Sequence, residues 1–339
     1  MPDPRPARLA AAVALLAALA GAAALRTAPV PPRGEDAPAT AFSAARALRI
    51  VRELAPDRSP RPTGSPADLR AIDLAVARLR ALGLETEVRE TFGCGPYGVC
   101  APVRNVVARL GPPGRKAVLL VAHHDSVPAG PGVSDDLSGV AIVLEVARAL
   151  AAGPPLPRPF LAVITDAEEA GLVGAEAFAD GSGRAAGAGA VVNLEARGTT
   201  GPSIMFETSG EPAWTARALR RLPHPVATSV APAVYALIPN DTDLTVLGRE
   251  GLPGLNLAFA LGVVRYHTPL DDVAHLDPRS LQHQGENALA LVRAAADEPL
   301  ETPARARLVY FDLLALGVVS YGAPLAVALA GARLVAAAA

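Results

Sequence analysis

The stretch AVLLVAHHDSVPAGPGVSDDLSGVAIVLEVARAL, residues 117–150, decides the fold. Residues 117–122 are an unbroken apolar run of strand length, the pattern of a strand covered on both faces. A Gly/Pro-rich loop follows, and residues 139–150 then place apolar side chains at helical spacing. Strand, loop and helix in this order make one βα unit. The pattern recurs downstream, with strands at 160–165, 190–194 and 255–259, a short helix at 171–178 and a long one at 277–296. Upstream, residues 85–91 and 105–110 read as strands, and residues 44–54 and 69–82 as helices, the second entered through Ser65 and Pro66. The expectation is an α/β domain whose mostly parallel central sheet is sandwiched by helices.

Composition narrows the function. The 339 residues carry a formal charge of -2 with a pI near 6.3, a balance that gives no electrostatic footprint for nucleic acid. Lys116 is the only lysine among 31 basic residues, which reads as compositional bias. Alanine inflates the 51% hydrophobic content, because aromatics supply only 4%.

The two ends are unusual. Residues 9–25 contain only Ala, Leu, Val and Gly between Arg8 and Arg26, at the short edge for a membrane span and the long edge for a signal sequence. Residues 1–26 are therefore expected to be a signal anchor or signal peptide, and Pro-rich residues 27–42 a linker. Residues 313–330 are apolar apart from Ser320 and Tyr321, and Pro324 is tolerated in a membrane helix. Residues 305–339 are accordingly expected to hold a second transmembrane segment. Cys94 and Cys100 are the only cysteines. In an oxidising compartment they would close a small loop; elsewhere they would remain two free thiols.

Polar residues gather where the apolar strands end. His123, His124 and Asp125 follow the strand at 117–122; Asp166, Glu168 and Glu169 follow 160–165; Glu195 follows 190–194. One carboxylate at a strand end is ordinary, and an Asp before a helix is first an N-cap candidate, a reading that fits Asp136 or Ser138. Three successive strands ending this way point instead to a ligand beyond the carboxyl edge of the sheet. Imidazole and carboxylate are a donor set that zinc accepts. His267, in Tyr266-His267-Thr268-Pro269, lies past another apolar segment, whereas His224, His275 and His283 read as turn or helix-surface residues.

These motifs resemble the co-catalytic zinc aminopeptidases, and in detail their membrane-bound endoplasmic reticulum metallopeptidase branch. His123-x-Asp125, Asp135-Asp136, Glu168-Glu169 and Tyr266-His267-Thr268 occur in family order, and residues 193–198 and 240–243 are also similar. The resemblance runs from about residue 42 to 292 and makes residues 43–304 a zinc peptidase domain. It implies two zinc ions, with Asp135 between them, His123 and Glu195 on one, and Glu169 and His267 on the other. It also implies Glu168 as general base toward the attacking water, Asp125 as the carboxylate behind His123, Tyr266 as oxyanion donor, and a cis peptide between Asp135 and Asp136. Two features depart from the common pattern: many soluble members carry Asp where Glu195 stands, and His124 replaces an aromatic or aliphatic residue. His124 is either an added polar wall of the site or a neighbour pointing away. The expected substrate is a peptide, cleaved at its N-terminus, with lipid contacting the terminal helices and the catalytic domain outside the cytoplasm. A mono-zinc glutaminyl cyclase-like transferase and a non-catalytic binding module on the same fold are the competing functions.

Overall fold

The computed structural model describes residues 5–26, 30–179, 187–210, 212–298, 300 and 308–338. Its helices are α1 (Arg5–Arg26), α2 (Ala44–Leu54), α3 (Pro66–Ala81), α4 (Gly139–Ala151), α5 (Val173–Ala179), α6 (Pro212–Leu219), α7 (Val230–Tyr235), α8 (Asp243–Arg249), α9 (Pro278–Asp297) and α10 (Ala323–Ala338). Strands β1 (Glu85–Cys94), β2 (Cys100–Leu110), β3 (Ala117–His123), β4 (Phe160–Thr165), β5 (Ala188–Ala196), β6 (Thr200–Ser209) and β7 (Gly254–Leu261) form one sheet in the order β1-β2-β4-β3-β5-β7-β6. The four middle strands run parallel, while β1, β2 and β6 pair antiparallel at the edges. The α/β expectation holds, with a mixed sheet whose parallel part is its centre.

The apolar runs exist because both faces of the middle strands are covered. Along β3, Val118, Leu120 and Ala122 face a layer built with α2, α4 and α9, while Leu119 and Val121 face the layer of α5 and α8. Burying one such aliphatic side chain contributes ~1.5–3 kcal/mol, so neither face could turn to water without a large loss. Strand β6 was not expected from the sequence. Its inward side chains are Ser203, Met205 and Glu207, and this polar buried face hides the alternation that marks a strand.

The end segments differ from expectation. Residues 33–42 are not a free linker but lie on the domain, where Arg46 donates to the carbonyls of Glu35, Ala37 and Ala41. Residues 313–330 do not form one spanning helix. Strand β8 (Leu308–Asp312) turns back into β9 (Val318–Gly322), and only then does α10 begin. The turn is set by Leu313 N–H donating to Gly317, with left-handed backbone at Leu314 and Ala315, and Asp312 pairs with Ala227 through its own backbone and carboxylate. The β-branched pair Val318-Val319 thus serves a hairpin, and among the described residues the apolar part of α10 is Ala323–Arg333, shorter than a span. By contrast, Ala7–Leu25 of α1 is one helix with no buried residue, long and apolar enough by length and composition to cross a bilayer.

Candidate metal centre

The parallel strands bring their carboxyl ends to one edge, and the polar loops converge there. His123 ends β3 and is the register neighbour of Thr165 at the end of β4. A left-handed residue at Ala167 turns the chain after β4, so that the amides of Glu168 and Glu169 donate to the two carboxylate oxygens of Asp125 at 3.0 and 3.1 Å. The same carboxylate lies 3.4 Å from His123 Nδ1, whose hydrogen-bond acceptor is the Asp125 carbonyl at 3.2 Å. Asp125 therefore ties the first two strand ends together as well as backing the imidazole. Glu195 lies within β5, one residue before its end, with Asn193 donating to its carboxylate.

Asp135 is presented by the loop before α4. The Asp135–Asp136 peptide is cis, and Asp136 turns inward to accept the Gly139 amide at the helix entry. Asp271 holds this loop: its carbonyl accepts from Val133, one carboxylate oxygen from Ser134 at 2.8 Å and the other from Asp135 at 3.1 Å. Buried Arg61 supports the loop from behind, donating to the carbonyls of His124, Pro131 and Gly132. His267 is reached through left-handed backbone, and its ring stacks on Tyr266 at 3.7 Å.

The two oxygens of Asp135 face different partners. Oδ1 lies 3.4 Å from His123 Nε2, which is 3.8 Å from Glu195; Oδ2 lies 3.3 Å from His267 Nε2, which is 3.1 Å from Glu169. The structure thus brings all five expected ligands into two triads sharing Asp135. Their fit to metal is supported by His123 Nε2, a buried nitrogen without a hydrogen-bond partner. Charge supports it as well. Burial, with neighbouring carboxylates adding to it, pushes Glu168 and Glu195 well above the usual carboxylate range, and Glu169 is raised for the same reasons. Burial opposes protonation of His267, but hydrogen bonds to Asp135 and Glu169 outweigh it and lift its pKa to about 9. So many carboxylates facing two imidazoles retain protons unless cations replace them.

His124 points away from this centre. Its Nδ1 donates to Asp68 at 2.6 Å and its Nε2 faces the Arg104 carbonyl and Asp166. His224, His275 and His283 also lie elsewhere, bonded to Glu286, Asp272 and the Ser203 amide. Sequence reasoning gave no role to Asp271, Arg61 or Asp243, the last bonded to Thr165 beside His123. Asp271 follows His267 by four residues and was visible as an acid. Arg61 sits in a turn-rich segment that gives no sign of its full burial.

An α/β domain with imidazoles and carboxylates gathered at the carboxyl edge of a parallel sheet defines a zinc-exopeptidase-like fold. The model of peptidase family M28 matches residues 105–292, and the chain belongs to that family of zinc metallopeptidases. Endoplasmic reticulum metallopeptidase 1 of Rattus norvegicus is 36% identical over 230 residues, 65% of this chain and 26% of that protein. The chain thus spans about a quarter of that relative's length. In shape it is similar to the aminopeptidase from Aneurinibacillus sp. strain AM-1 (TM-score 0.64, 15% identity, 79% of this chain and 99% of that one). It is also similar to Porphyromonas gingivalis glutaminyl cyclase (TM-score 0.59, 22% identity, 74% and 98%).

Proposed function

We propose that the chain is a two-zinc aminopeptidase, held to a membrane by α1 with its catalytic domain outside the cytoplasm. The observation that carries the reading is Asp135, whose two oxygens each face a separate imidazole–carboxylate pair. His123 and Glu195 with one oxygen would hold the first ion, and Glu169 and His267 with the other would hold the second. Bound zinc would acidify water and stabilise developing oxyanion charge. Glu168 takes the proton of the attacking water and returns it to the leaving amine. A carboxylate beside the water can take that proton and hold it between the two transfers. Tyr266, stacked on His267, donates its hydroxyl to the oxyanion. Asp125 orients the His123 ring through its carbonyl and holds the backbone amides of Glu168 and Glu169 with its carboxylate.

The Cys94–Cys100 disulfide supports an oxidising location. The apolar, unburied α1 supports lipid as a partner. Peptide as substrate follows the family. Elemental analysis of the purified full chain, together with an aminoacyl-anilide panel and an N-terminal glutamine peptide, tests the reading. Two zinc ions per chain and release of the anilide support it. One zinc with pyroglutamate formation supports the cyclase-like alternative, and zinc without turnover supports a binding module.

A further inference from the structure

The loop closed by Cys94–Cys100, between β1 and β2, plays no part in the centre described above, yet it leans on the turn that carries Glu168. The amides of Gly171 and Leu172 both donate to the Glu168 carbonyl. A Cβ on Gly95 would stand 1.8 Å from the Gly171 carbonyl oxygen, so only glycine allows the loop to meet that turn backbone to backbone. At the loop tip, the Tyr97 hydroxyl donates to Asp241 Oδ2 at 2.5 Å. Asp241 lies two residues before Asp243, which bonds Thr165 beside His123. The loop therefore spans from the turn bearing Glu168 to the segment leading into α8. Tyr97 is nonetheless 59% exposed, and Val99 beside it 41% exposed, so both keep surface free for a further contact. The Tyr97 ring lies beside Gly171 of the turn that follows Glu168 and Glu169, 3.6 Å from where a Cβ on that glycine would stand.

We propose that Tyr97, fixed by Asp241 and by the disulfide-closed loop, is a specificity-determining wall of the metal cleft. It limits the bulk of the N-terminal side chain beside Glu168, which makes peptides with a small first residue the favoured class. The inference rests on the peptidase reading. A short loop tied at both ends and bonded at its tip cannot withdraw to admit a larger group. Removing the ring leaves the space it filled; a methylene in a hydrophobic pocket is worth ~10–200-fold in discrimination, and a wall open to solvent on one side should act at the low end of that range.

The test compares the zinc-loaded full chain with Tyr97→Ala, Tyr97→Phe, Asp241→Ala and the Tyr97→Ala/Asp241→Ala pair. The first readout is kcat/KM for alanyl and phenylalanyl anilides. The second is affinity for alanine and phenylalanine hydroxamates, which needs metal but no turnover. Tyr97→Ala should raise the Phe-to-Ala ratio about 10-fold or more in both readouts. Asp241→Ala and Tyr97→Phe, which free the ring but keep it, should raise it less. The double variant should match Tyr97→Ala, because both changes act on one contact. An unchanged ratio in Tyr97→Ala, or an equal loss on both substrates, overturns the wall. A chain that binds hydroxamates with the shifted ratio but cleaves nothing retains the wall and refutes the peptidase reading.

Discussion

Replacing Asp271 by Asn should weaken zinc binding without removing any ligand. The Asp271 carboxylate is buried and accepts two amides, Ser134 at 2.8 Å and Asp135 at 3.1 Å. Its pKa rises to about 6, chiefly from burial, so at pH 7.5 it is ionised and both oxygens accept. Asn offers one acceptor oxygen and turns an NH2 group toward the other amide, so one charge-assisted bond is lost and two donors face each other. Hydrogen bonds to charged groups are worth ~1.5–3 kcal/mol. At ~1.4 kcal/mol per decade, displacing Asp135 at that cost weakens zinc ~10–150-fold, in line with ~10–100-fold for partners that orient metal ligands. Competition with a fluorescent chelator at pH 7.5 measures the zinc Kd, and thermal unfolding with and without zinc separates folding from binding. The variant should lose more of its zinc-dependent gain in Tm than of its metal-free Tm. A zinc Kd within about 2-fold of wild type would mean that Asp271 does not position Asp135, and the reasoning fails.

Three further outcomes follow from the same geometry. Glu168→Gln should retain near-normal zinc while losing ~10²–10⁴-fold in turnover, whereas Glu169→Gln should lose metal and activity together; elemental analysis beside an anilide assay decides, and a zinc-free Glu168→Gln would move the base elsewhere. Without metal, raised Glu168 and Glu195 and a His267 pKa near 9 mean that the folded chain binds more protons than the unfolded one from about pH 5 to pH 9. Stability of the metal-free chain should therefore fall as pH rises through that window. Zinc should flatten the fall and release protons on binding; a pH-independent Tm in chelator contradicts this. Finally, the full chain should float with vesicles through α1, and a chain starting at Val30 should not; flotation of the shorter chain would place membrane contact on the catalytic domain.

Much of this was legible because the sheet centre is parallel. Strands covered on both faces must be apolar throughout, so β3, β4, β5 and β7 announce themselves, and their polar ends mark the ligand edge. Edge elements announce less. β6 carries Ser203 and Glu207 on its inner face because Glu207 bonds Thr242, Thr245 and Asn256 there, and no periodicity survives. The C-terminal apolar run misled for a related reason. Hydropathy measures the cost of exposure, and a hairpin with β-branched residues meets that pattern as readily as a short membrane helix.

The sequence alone determined the order and type of the central elements, the residues proposed to hold a cation, and an N-terminal helix long enough to cross a bilayer. Those properties are local: they follow from side-chain chemistry and from spacing along the chain. Only the tertiary structure decided that His267 meets Asp135 across 132 positions and that His124 turns from the centre its neighbour enters. The same holds for Asp271 and Arg61, which hold the loop between them. Hydrogen-bond partners so far apart in the chain are chosen by packing, which no spacing rule encodes.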